Sequence, residues 1–229
     1  MEHYLKTFQD LLYDSVYLLY FAFDINADEY DDDVISPLVR SSILNSILLL
    51  ECGANCLIDA LNLPSQFYKD IEKLPFISKF EFFLNTTNSN NKFDRGCKEV
   101  QAISELKSIR DFYVHPNVKK AVYEKIAEDE DVWDVDFGST NILKFPRNPQ
   151  IWRREHAVLA LRSVNDFYNK FLLEWCGLSI GRNIDILLSS DKAMVTTAVG
   201  DGIDCVGGLD RAVKEWHIDF KFIGKKQKR

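Results

Sequence analysis

The run SILNSILLLECGANCLIDAL, residues 42–61, constrains this chain more than any other stretch. Apolar side chains recur on nearly every side of the helix it would form, so that helix must be covered by protein or by lipid. Glu51 and Asp59 stand inside it, and carboxylates are costly in hydrocarbon, so the run is read as a buried core helix rather than a membrane span. Ser36 and Pro37 ahead of it predict the helix start, a capping hydroxyl followed by a ring preset to helical φ. Its stop is predicted at NLP, residues 62–64.

The flanking segments have to supply the cover. Residues 4–23 place apolar groups at helical spacing. The acidic DINADEYDDD, residues 24–33, reads as a solvated connector. Residues 65–85 predict two shorter helices divided by Pro75, followed by a polar loop through NTTNSNN. From Cys97, an apolar stripe through Val100, Ile103, Leu106, Ile109 and Tyr113 predicts a helix. Pro116 biases His115 away from helical geometry, so that helix should finish at or near the histidine. Residues 127–149 are acidic and turn-rich and are expected to be irregular; a long helix follows from Gln150 to Trp175, closed by Gly177. Long helices with polar connections predict a mainly α protein, a helical bundle over residues 1–178. After that, IDILLSS and AMVTTAVGDGIDCVGG read as short strands and turns, making residues 179–229 a small C-terminal extension with KFIGKKQKR as a solvated tail.

A hydrophobic fraction of 46% with 28% charged residues is that of a globular protein. The net charge of −7 means that the surface as a whole does not attract polyanions, and any nucleic-acid binding has to use a local basic patch. The first residues, MEHYLKTFQD, show neither the basic nor the apolar part of a signal peptide, so a cytoplasmic compartment is expected. Cys52 and Cys56 sit four apart on the apolar helix as small core residues; no His or second Cys pair stands at ligand spacing, and neither metal nor cofactor is expected. GDGIDCVGG lacks the Lys-Ser/Thr ending of a phosphate loop, and EDEDVWDVD lacks the spacing of a calcium loop. His156, beside Arg153, Arg154 and Glu155, reads as a solvated helix residue, and His3 and His217 offer no partners.

One stretch asks for a chemical explanation. SIRDFYVHP, residues 108–116, keeps a permanent cation, Arg110, and a titratable ring, His115, in an otherwise apolar helix end. The first reading is structural: His115 caps the carbonyl end of the helix, and Arg110 reaches Glu105 or Asp111. The second is catalytic: Arg110 borders the buried stripe, where an unpaired charge is costly, and His115 has the side chain suited to proton transfer near neutrality. Five residues turn a regular helix through about 500°, leaving the two side chains about 140° apart, so they share a site only if the helix end bends or the arginine swings round. Glu51 and Asn55, one turn apart, either face the same cleft in support of the pair or bond to each other against a neighbouring helix.

ELKSIRDFYVHP resembles the signature of the HEPN superfamily: Arg, a polar residue, three more residues, then His at a helix end. The order around it is similar too, with LLLECGANCLIDAL first, then LPFISKFEFFL, a polar loop with FDRG, the motif helix and a final helix, over about residues 1–178. The resemblance implies a helical bundle that forms a homodimer, with motifs of two subunits facing one cleft. It implies a metal-independent RNA endonuclease, in which Arg110 and His115 are the catalytic pair and Asp111 the polar residue beside the arginine. Many members carry Asn where this chain has Asp111, and a carboxylate there either blunts Arg110 or orients His115. A subgroup carries Tyr two residues after the His; here that residue is Asn117. The implied role is a toxin or defence effector with RNA as substrate, with a cognate antitoxin as a partner. The alternatives are a HEPN fold used only for nucleotide binding or assembly, and an unrelated helical interaction protein.

Overall fold

The computed structural model describes residues 6–25, 32–88, 90–115, 122–125, 133–188 and 207–227. Eight α-helices dominate the described residues: α1 (Phe8–Asp24), α2 (Asp32–Asp59), α3 (Ser65–Ile71), α4 (Phe76–Thr87), α5 (Lys98–Val114), α6 (Arg154–Tyr168), α7 (Ile180–Leu187) and α8 (Gly207–Glu215). The protein is mainly helical, and α2 is its axle, with α1, α4, α5, α6 and α7 packed against it.

The packing follows from residue size. α1 buries Phe8, Leu12, Val16 and Leu19 at helical spacing. On the facing side of α2, Ser42 and Ser46 are fully buried; the Ser42 hydroxyl donates to the carbonyl of Ser15 on α1 at 2.6 Å, and Ser46 donates to the carbonyl of Ser42 at 2.9 Å. Small hydroxyls bring the two backbones close and satisfy their own polarity. Ile43, Ile47, Leu50, Ala54 and Leu57 are among the other fully buried residues of α2. By length and composition Asp33–Asp59 is apolar enough to cross a membrane, and 61% of its apolar window is buried inside the protein.

The helix start expected at Ser36 is displaced. α2 begins at Asp32 and Pro37 lies inside it, while the Ser36 hydroxyl accepts from Arg40 Nη1 at 2.6 Å instead of capping. Pro37 is the sixth residue of the helix, past the four whose amides lack an intrahelical acceptor, so the helix forgoes one bond near its start. The division at Pro75 and the helix from Cys97 to His115 are as the spacing predicts. The stretch expected to be irregular contains a strand: Trp133–Asp136 pairs antiparallel with Val122–Lys125, Lys125 opposite Trp133. WDVD alternates apolar and acidic residues, the strand period, in a run short enough to pass for a loop.

α6 begins at Arg154, later than Gln150, because Pro149–Ile151 forms a separate 3₁₀ turn capped by the Asn148 side chain. It runs on as a π-helical turn, Asn169–Trp175, and stops where Gly177 takes φ of +67°. The strands expected after residue 178 are helices where the chain is described. Ser179 caps α7 by accepting from the amide of Arg182 at 3.2 Å, and Asn183, Ile186 and Leu187 are its buried residues. A short apolar run fits both periods, and the cap decides. Residues 193–206, which hold most of the glycine-rich segment, lie outside the described residues. Nor is the basic end a loose tail: Phe222 and Ile223 are buried, Lys225 pairs with Asp210 at 3.3 Å, and Leu209, Ala212, Val213 and Trp216 of the α8 region join the same core as α1 and α6.

The tightest approach is at Gly53. Tyr168 of α6 is buried, and its hydroxyl donates to the Leu49 carbonyl at 2.6 Å; a Cβ on Gly53 would overlap that hydroxyl. Gly53→Ala is expected to cost about 1–3 kcal/mol in urea denaturation through overpacking, and Tyr168→Phe about 1 kcal/mol through the lost hydrogen bond. Combined, the two should cost less than their sum, since removing the oxygen relieves part of the overlap. Strict additivity would contradict this account.

Candidate functional site

α5 is amphipathic, with Val100, Ile103, Leu106 and Ile109 against the core. One residue past Ile109, Arg110 emerges at the edge of the buried stripe with its side chain 18% exposed. Its guanidinium bridges two carboxylates. Nη1 donates to Glu51 Oε1 on α2, while Nε and Nη2 donate to Asp111 Oδ1 at 3.0 and 2.6 Å. The other Asp111 oxygen accepts from Lys107 Nζ at 2.5 Å. Of the two acceptors expected for Arg110, Asp111 is used. Glu105 turns elsewhere and accepts from the backbone amides of Asn141 and Ile142, both at 2.8 Å, and of Leu143 at 2.9 Å, pinning that loop to α5.

These contacts set the charge states. Burial works against the Arg110 charge, but its bonds to Asp111 and the charge of Glu51 outweigh it and hold the guanidinium above its ordinary range. Burial likewise opposes the Asp111 carboxylate, and the hydrogen bonds from Lys107 and Arg110 pull it below the usual range. Both groups are therefore ionised near neutrality. The Asp111 carboxylate is thus a second anchor for the arginine beside Glu51.

Arg110 and Glu51 open onto a cleft of about 320 Å³ between α2, α4 and α5. Asn55, Lys73, Lys79 and Lys107 line it as well, with Leu74, Pro75 and Phe76 at the entry to α4. Glu51 and Asn55 thus face one cleft, and each pairs across it rather than with the other: Glu51 with Arg110, Asn55 Oδ1 with Lys79 Nζ at 2.7 Å. Lys79 and Lys73 come from the segment around Pro75. No sequence signal marked them, because lysines spaced along an exposed helical segment look like ordinary solvated residues.

His115 is placed differently. It is the C-cap of α5, with φ −97° and ψ 91°; its amide donates to the carbonyl of Asp111 at 3.2 Å, and its exposed ring bonds to no described residue. It does not line the cleft that Arg110 faces. Within one chain Arg110 lines the cleft and His115 does not, in keeping with the roughly 140° that separates positions five apart on a regular helix. Asn117 lies outside the described residues.

The other candidates have structural employment. His156 is half-buried rather than solvated: its Nδ1 accepts from the Arg153 amide at 2.9 Å, its ring lies 5.3 Å from that of Phe145, and burial lowers its pKa. Cys56 is buried, as a small core residue should be; Cys52, half-buried, stands 3.4 Å from the Thr7 hydroxyl. Hydrogen bonding from Cys56 outweighs burial and lowers the pKa of Cys52. Among the described residues no cluster of three or more His, Cys, Asp or Glu side chains is gathered as a metal site. Comparison with protein-family models, with curated proteins and with solved structures gives no match for this chain.

A lowered folded-state pKa at Asp111 contributes stability above the unfolded carboxylate pKa of about 3.9, and that contribution is lost as pH falls through the folded value. Asp111→Asn should therefore flatten the acid limb of the stability profile below about pH 4. Urea titrations from pH 2 to 7 check this, and parallel limbs in the two proteins would show that the Asp111 bonds contribute nothing.

Proposed function

We propose that this chain is a metal-independent endoribonuclease of the HEPN type, working as a homodimer in the cytoplasm, in the role of a toxin or defence effector restrained by a cognate antitoxin. The observation that carries this reading is the fixed guanidinium of Arg110 at a cleft mouth, on the same helix that ends in an exposed imidazole bonded to no described residue. Glu51 and Asp111 hold the guanidinium in one orientation while it remains ionised. A preoriented planar cation of this kind suits the charge that grows on a phosphorane.

The reaction needs two proton transfers. The 2′-hydroxyl of RNA attacks the adjacent phosphorus, giving up its proton to one imidazole as the bond to the 5′-oxygen breaks. A second imidazole protonates that leaving oxygen, and the products are a 2′,3′-cyclic phosphate and a 5′-hydroxyl end. One chain has a single histidine at the end of α5. Because His115 is not among the residues lining its own Arg110 cleft, on this reading a twofold-related copy supplies the second imidazole and brings His115 to an arginine.

A second reading is favoured by the arginine itself. Nε, Nη1 and Nη2 of Arg110 all donate within the chain, as a strut between α5 and α2 would. On that reading the protein is a HEPN fold used for nucleotide binding or assembly. Incubation of the purified protein with end-labelled RNA in excess chelator separates the two. Cleavage to cyclic-phosphate ends, slowed about 10²–10⁴-fold by His115→Ala, is the nuclease outcome. DNA of the same sequence, without the 2′-hydroxyl, should stay intact. His115 is exposed, so the substitution should move stability by no more than about 0.5 kcal/mol. Intact RNA, or equal cleavage by the variant, would overturn the nuclease.

A further inference from the structure

The expectation that an apolar helix end needs an anion for its cation is met at Arg110 within the chain. It is not met at Lys79. That lysine is only 7% exposed, yet its ammonium is matched by a neutral amide, Asn55 Oδ1 at 2.7 Å, and among the described residues no carboxylate stands within ion-pair distance of it. Burial lowers its pKa, with Glu72 and Glu51 opposing the shift from farther away. Its ammonium stands at the cleft wall with an amide rather than a carboxylate as partner, and a partly dehydrated cation without a counter-charge is costly. The cost is retained at the wall of a cleft whose other cations are partly spoken for: Arg110 by Glu51 and Asp111, Lys107 by Asp111, and Lys73 by an exposed contact with Asp70 at 3.5 Å. The lining side chains are four cations and one carboxylate, Glu51, on a chain whose net charge is −7. This is the local basic patch that the overall charge demands of a protein that handles polyanions.

We propose that this cleft holds an RNA phosphate next to the scissile one, with the Lys79 ammonium as its main ligand and Lys73 and Lys107 at its rim. The identity of the polymer rests on the nuclease reading, whereas the phosphate chemistry rests on the cleft. Arg110 and Lys79 line the same cleft, so a phosphate on Lys79 lies next to the one that the nuclease reading gives to Arg110 and a His115 ring from the twofold-related copy. Such a contact carries no base information, so it sets register and affinity without sequence preference. The flanking phosphate supplies the anion that Lys79 lacks.

The test uses the full chain and a fluorescent 2′-O-methyl oligoribonucleotide, which binds but has no free nucleophile. Lys79→Met keeps the stem and removes the charge. Anisotropy titrations over a range of salt should give about tenfold weaker binding for the variant, the loss of one charge-assisted contact. The slope of log affinity against log salt should be shallower by about 0.7. Thermal melts should show the variant at least as stable as the wild type, and inorganic phosphate should raise Tm in the wild type only. Unchanged affinity and slope in Lys79→Met would overturn the subsite, as would a marked fall in Tm, which would make the ammonium a structural group. The outcomes separate the two proposals: cleavage with no dependence on Lys79 removes the subsite and keeps the nuclease. Binding that depends on Lys79 without any cleavage of natural RNA removes the nuclease and keeps the phosphate site.

Discussion

The bond between Arg110 and Glu51 joins the most distinctive segment of this chain to its most constrained one. α2 packs through the centre of the protein, and its carboxylate at residue 51 is half-exposed where it meets Arg110. Through Arg110 it fixes the rotation of α5, which in turn fixes where His115 leaves the helix and which side chains wall the cleft. Asp111 reinforces the arrangement from the same helix and ties in Lys107. The interaction is only partly buried, so its contribution to stability is modest. Its larger effect is orientation: a long, flexible cation becomes a fixed set of donors.

Electrostatic economy gives the site its asymmetry. Arg110 meets two carboxylates, and Lys79, more deeply buried, meets an amide. A core selected only for stability would place a Met or Leu at residue 79 and keep the packing. The two cations therefore differ in what holds them, one fixed by carboxylates and the other met only by an amide. Gly53 and Tyr168 lie on the opposite side of the same turn of α2, where close packing holds Glu51 and Asn55 at a fixed height.

Much of this was legible in the residues. The helical periodicity of α1, the break at Pro75, the reach of α5 from Cys97 to His115 and the end at Gly177 were set by strong local signals, apolar spacing and punctuation by proline and glycine. The start of α2 lies ahead of the Ser36-Pro37 signal because that pair marks a helix start well, while here the helix carries it in its second turn. α7 carries an apolar run that fits the strand period as well as the helical one, and Ser179 is a cap that only the backbone reveals. At the site, the motif exposed Arg110, Asp111 and His115, and the central helix exposed Glu51 and Asn55. Which carboxylate the arginine takes, and that Lys79 faces the cleft, depend on how α4 and α2 dock, and no local pattern encodes that. The divergence of Arg110 and His115 was legible from helix geometry alone, and it is what makes a second chain part of the functional reading.

The account stands on two chains bringing their α5 ends together around one phosphodiester. A crystal structure of the protein with a 2′-O-methyl oligoribonucleotide measures this directly. The predicted result is a twofold dimer in which a His115 ring from each chain and at least one Arg110 lie within hydrogen-bond distance of the same phosphate. Histidines on opposite faces of every assembly, or a monomer binding RNA away from α5, would contradict it.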